Sequence, residues 1–134
     1  MTSLTWHQYQ YLLERLDEEQ ETATAAHLQH EGPWGVRPRS IAVLDASRWQ
    51  VAEAADTSTA RHIAAWGPDR VLADIKARRE LVQRARSVIA CFEAGEGPWD
   101  DVTQREHSHA VLALEALLRP YAGRDDFVGA WLHA

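Results

Sequence analysis

The sequence predicts an α+β fold: a long N-terminal helix, a small two- or three-stranded antiparallel sheet, then a long helix and a C-terminal helix forming a hairpin. Three observations predict it. Apolar residues recur at helical spacing over residues 4–30 and again over 68–94. Between those stretches the period drops to two. The switches fall at Gly32-Pro33 and Gly67-Pro68, where glycine caps a helix and proline forbids its continuation. A chain of 134 residues corresponds to a single domain, 1–134. With 46% hydrophobic and 25% charged residues it can bury a core, which excludes wholesale disorder.

The first helix is expected from Leu4 to His30, with Tyr9, Leu12, Leu16, Ala23, Ala26 and His30 on one side. Thr5 and Gln8 fit a capping box. Glu14, Asp17, Glu18, Glu19 and Glu21 face only Arg15, five acids against one base, which describes a solvated acidic face. Strands are expected at Trp34-Gly35-Val36-Arg37, Ile41-Ala42-Val43-Leu44 and Trp49-Gln50-Val51-Ala52. Asp45-Ala46-Ser47 has turn chemistry, and Pro38 keeps the first strand short or at an edge. The alternation places Trp34 and Trp49 in the core against the long helix.

Asp56-Thr57-Ser58 is an N-cap cluster for a short helix over Thr59 to Trp66. The long helix, Pro68 to Ala94, carries a heptad seam: Val71, Ile75, Arg78, Val82, Ala85, Ile89 and Phe92. Leu72, Leu81 and Val88 widen it, and Arg78 is the cation on an apolar stripe. Gly95-Glu96-Gly97-Pro98 ends this helix, and Thr103 to Glu106 form a capping box for the next. His107, Val111, Leu114, Leu118 and Tyr121 make its inner face, and Pro120 ends it. Asp125 is expected to cap a last turn holding Phe127 and Trp131, with the aromatic end docked.

A net charge of −6 argues against broad nucleic-acid binding. The start of the chain lacks a basic region followed by an apolar stretch, and no apolar run reaches membrane-spanning length, so a cytoplasmic protein with no membrane partner is expected. The single cysteine, Cys91, sits in Val88-Ile89-Ala90-Cys91-Phe92 and reads as a buried structural thiol. Six tryptophans are many for this length. Most are expected in the core, one or two at an interface.

Chemistry is sparse. The sequence has no phosphate-binding glycine loop, dinucleotide fingerprint or paired-cysteine zinc pattern. His27 and His30 share a helix face beside Glu31, but helix-end histidines are accounted for by the dipole, and no metal site is assigned. No catalytic residue and no cofactor is assigned. Arg61 to Arg86 is the one basic stretch, seven cations against three acids. Packing beside the acidic first helix is its structural explanation. Its functional explanation is a candidate ligand site of Arg70, Arg78, Trp66 and His62: Arg70 and the free N–H groups at a helix start meet a phosphate, and Trp66 stacks on a base.

The stretch from Ala60 to Arg79 contains His62-Ile63, Gly67-Pro68, Val71-Leu72 and the pair Arg78-Arg79. With Gly32-Pro33-Trp34 before it and Pro120-Tyr121-Ala122 after it, the chain resembles an uncharacterised family of small actinobacterial and actinophage proteins, a domain of unknown function. It is more distantly similar to Ead-like accessory proteins of tailed phages. Gly67 stands where that pattern has Asp, and only Cys91 remains of a cysteine-rich insert. The resemblance implies an accessory gene and no mechanism.

These observations lead to a non-enzymatic interaction protein, a phage or prophage accessory factor binding a host protein, and to a homodimer, because of the heptad seam and the excess of aromatics. The alternative is a sponge for a small phosphorylated ligand such as a nucleotide. A hydrolase built on His62 ranks third.

Overall fold

The computed structural model describes residues 4–95, 97 and 99–132. Its elements run α1 (Leu4–Gln29), β1 (Ala42–Leu44), β2 (Gln50–Glu53), α2 (Thr57–Ala65), α3 (Pro68–Glu93) and α4 (Asp101–Leu118), followed by short 3₁₀ turns at Arg119–Tyr121 and Gly129–Trp131. The α+β class and the element order are those the sequence predicts. Contacts cluster into two units, one comprising the chain up to Leu16 together with Ala77 onward, the other Asp17–Lys76.

In the first unit the core is Tyr9, Tyr11, Leu12 and Leu16 from α1, Val82, Ala85 and Ile89 from α3, and Ala110, Leu114 and Leu118 from α4. Tyr121 and Trp131 complete it. Helical spacing puts each set on one stripe, and burial of those stripes supplies the main driving force. The seam of α3 is therefore covered within the chain: Ile75, Val82, Ala85 and Ile89 are all buried. Val71, Arg78 and Phe92, the rest of the seam, are part-buried. Leu81, expected to widen the seam, is half exposed.

The C-terminal segment is docked, as its aromatic character implies. Gln8 Nε2 donates to the Trp131 carbonyl at 2.9 Å. The Tyr11 ring lies 4.9 Å from Trp131, 5.8 Å from Phe127 and 6.2 Å from Tyr121, centroid to centroid. The carboxylate holding the segment is Asp126 and not Asp125, whose expected capping role is absent: the last turn is preceded by Val128 and has no side-chain cap. Asp126 pairs with Arg15 and accepts the Tyr11 hydroxyl at 2.8 Å. That hydrogen bond, with the charges of Arg124 and Arg15, holds its carboxyl below the usual range, while burial raises the Tyr11 hydroxyl.

Other departures have local causes. Asp100, not Thr103, caps α4: its side chain accepts the Thr103 N–H at 2.8 Å. Thr5 lies inside α1 and is no cap. Asp56 caps α2 as expected, accepting the Thr59 N–H at 2.7 Å. Glu96 and Pro98 of the Gly95 to Pro98 helix stop lie outside the described residues. Cys91 is exposed, because its position on α3 faces away from the stripe that buries Val82, Ala85 and Ile89.

In the second unit β1 and β2 pair antiparallel, Ala42 with Glu53, Val43 with Ala52 and Leu44 with Gln50, with a bulge between Val43 and Leu44. The first expected strand shrinks to one bridge, Gly35 with Leu44. Val43 and Ala60 are fully buried, where α2 packs on β1. Trp49 lies in the turn before β2, not in a strand, and is 72% exposed and not in the core. Trp34 is half buried, its indole N–H donating to the His30 carbonyl at 2.9 Å. A Cβ at Gly32 would overlap the Asp69 carboxylate and displace that side chain, and a Cβ at Gly67 would stand 3.2 Å from the Trp34 ring. The two Gly-Pro switches thus meet, one sealing the other.

The two C-terminal and hairpin tryptophans should separate cleanly on truncation. Trp131→Ala is expected to cost about 3–5 kcal/mol in urea unfolding. Trp49→Ala should stay within roughly 0.5 kcal/mol of wild type. Equal losses would mean that the burial of one of them is misassigned.

Candidate functional site

The most organised polar group in the second unit is Asp45, at the turn after β1. It is buried, and its neighbours explain how. Oδ1 accepts the Ser47 and Trp49 backbone N–H groups, each at 2.9 Å. Oδ2 lies 3.1 Å from His30 Nδ1. The backbone adds Arg48 N–H to the Asp45 carbonyl, Asp45 N–H to the Trp49 carbonyl and Ala46 N–H to the Glu31 carbonyl. An Asp side chain that bonds the backbone two residues on is a turn former, and here it also ties the turn to the end of α1. Burial is the largest single influence on this carboxyl and disfavours its charge. The Trp49, His30 and Ser47 hydrogen bonds together outweigh burial and hold Asp45 below the usual carboxylate range.

This arrangement forces Arg48 to φ 66°, a left-handed conformation that favours glycine. The next residue is Trp49, the most exposed tryptophan among the described residues. The tip of the turn thus presents a cation and a large aromatic side by side, on backbone fixed by a buried carboxylate. The sequence marks Asp45 as a turn residue, but nothing in it distinguishes this Trp from a strand residue. The turn that exposes it is closed by Asp45 and so depends on contacts that alternation does not encode.

The sequence-predicted ligand residues are only partly brought together. Arg70 stacks on Trp66, its guanidinium carbon 4.6 Å from the ring centroid, and donates to the Ala65 carbonyl at 3.1 Å. Trp66 is the C-cap of α2, and His62 lies exposed one turn earlier. Arg78 belongs to the other unit, where Nη1 donates to the Tyr121 hydroxyl at 3.0 Å. At the start of α3 the Asp69 carboxylate sits against Gly32 and Gly67, a negative charge where a phosphate would bind. The helix-end histidines have structural partners: His27 Nδ1 accepts the Gly32 N–H at 3.4 Å, and His30 is held by Asp45. Among the described residues no group of three or more His, Cys, Asp or Glu side chains is placed to hold a metal ion. No helix among them is long and apolar enough to cross a membrane.

In the first unit Arg86 lies over both Trp6 and Tyr9, at 5.2 and 4.5 Å. Phe92 stacks on His107 at 3.9 Å and meets Trp99 edge-on at 4.6 Å. These clusters join helices, and neither contains a charged group buried away from a partner.

A model of a family of unknown function, DUF6221, matches residues 7–133. No curated protein and no solved structure matches the chain.

The Asp45 hub makes acid stability the property to measure. Because the folded carboxyl sits below its value in the unfolded chain, the unfolded state takes up protons first as the pH falls. The stabilisation is complete above the unfolded value of about 3.9 and is lost as the pH drops through the folded value. Thermal melts from pH 7 down to pH 3 (about the range in which carboxylates titrate) should show Tm falling at the acid end. The fall should be shallower in Asp45→Ala, from a lower start. Identical acid limbs would contradict the hub.

Proposed function

We propose that the chain, which belongs to the DUF6221 family, is a non-enzymatic interaction protein that binds another protein through the hairpin tip at Arg48 and Trp49. The observation supporting this is the coincidence of two unfavourable features on one rigid turn. A left-handed arginine costs about 1–2 kcal/mol relative to an ordinary conformation. An exposed tryptophan forgoes the burial that its area would give. Asp45 holds both in place. Trp and Arg are the residue types that dominate binding energy at protein interfaces, and a preorganised pair loses little entropy on docking.

The partner class follows from charge. Residues 34–53 carry Arg37, Arg39 and Arg48 against two acids, Asp45, which is buried, and Glu53, at the end of β2 away from the tip. A basic tip in a chain of net charge −6 suits an acidic protein surface. The resemblance to actinobacterial and phage families supports an accessory factor working in the cytoplasm on a host protein. The nucleotide-sponge reading draws support only from the Arg70–Trp66 stack.

The test is a photo-cross-linking phenylalanine analogue in place of Trp49, in living cells, with the analogue at exposed Leu112 of α4 as control. A protein adduct from position 49 and none from 112 is expected. Arg48→Gly should raise stability by about 1 kcal/mol, since glycine relieves the left-handed backbone, and should lower the adduct yield. No adduct from position 49, or the same adducts from both positions, would contradict the proposal.

A further inference from the structure

The interaction reading leaves open what the tip docks on, and the same unit carries a complementary surface. On α1, Asp17, Gln20, Glu21, Thr24, Ala25 and Leu28 line a shallow groove of about 510 Å³. Leu28 is 82% exposed and Trp49 72%, the two highest values for large apolar side chains among the described residues. The groove is acidic at one end and apolar at the other. Glu21 and Ala25 lie one helical turn apart, about 6 Å along the axis, a span that the adjacent long side chains of Arg48 and Trp49 can bridge.

We propose that a partner of the tip is a second copy of this chain. Arg48 pairs with Glu21 of the other copy, and Trp49 covers its Ala25 and Leu28. This rests on the interaction reading above and names its partner. Charge complementarity carries it: a basic tip and an acidic helix face on the same chain. Two-fold symmetry then makes each contact twice and closes the assembly. The chain cannot satisfy itself in this way. Leu28 lies two residues before His30, which follows the end of α1 and continues its hydrogen bonding to Ala26, about 200° around the axis, and His30 with Glu31 ties the hairpin to α1. Leu28 therefore points away from its own tip. In the heptad seam of α3, Ile75, Val82, Ala85 and Ile89 are already buried within the chain.

Light scattering of the full-length protein tests this. Wild type is expected at twice 15.1 kDa. Trp49→Ala and Leu28→Glu should each give 15.1 kDa and still unfold cooperatively, with a Tm that no longer rises with protein concentration, since both side chains are exposed in the single chain. Arg48→Glu should also give the monomer, and adding Glu21→Arg should restore the dimer. A monomeric wild type up to about 100 μM, where even a weak specific pair is populated, overturns the proposal. So does a dimer that persists in both Trp49→Ala and Leu28→Glu. If wild type is monomeric while position 49 cross-links a foreign protein, only the self-partner is lost. If position 49 cross-links nothing, the interaction reading falls with it.

Discussion

A single buried carboxylate organises the part of this protein that has something to offer another molecule. Asp45 gathers two backbone N–H groups and an imidazole nitrogen, and without them its burial would be too costly to hold a charge. Those donors come from three places in the chain: the end of α1, the turn, and the residue entering β2. One interaction therefore fixes the hairpin's register, its attachment to α1 and the left-handed backbone at Arg48. The exposure of Trp49 follows from that geometry and not from looseness.

The first unit solves the opposite problem. There the aromatic residues are used up internally, with Tyr11 surrounded by Tyr121, Phe127 and Trp131. Its principal charges are consumed in the same way, Arg15 on Asp126 and over the Tyr11 ring. Trp6 lends its ring to Arg86, and Trp99 lends its ring to Phe92. Trp49 has no such internal use, which singles it out from the other exposed tryptophans.

The elements were legible because helical periodicity and Gly-Pro punctuation are local signals. α3 begins at Pro68 and α4 ends at Leu118 before Pro120, as proline sterics require. The stripe from Ile75 to Ile89 is buried because its spacing admits no other face. What failed was long-range. Two-residue alternation put Trp49 inside, but β2 starts one residue later and Asp45 takes Trp49 into the turn. Cys91 lies in an apolar run, yet a helix turns its residues through 100° each, so neighbours of buried Ile89 face solvent. The tip as a site was illegible for a related reason. A left-handed arginine leaves no compositional trace, and Asp45 reads as an ordinary turn residue until His30 is brought to it across the fold. Arg70 and Arg78 share a helix, but their partners, Trp66 and Tyr121, are set by tertiary contacts that spacing does not encode.

Held by Asp45 through the Trp49 amide, the tip should be exposed and yet rigid. Backbone ¹⁵N relaxation at Trp49 measures this directly. An order parameter near that of the flanking strands, about 0.85, is expected. A value below about 0.6 would show a mobile loop and contradict the account.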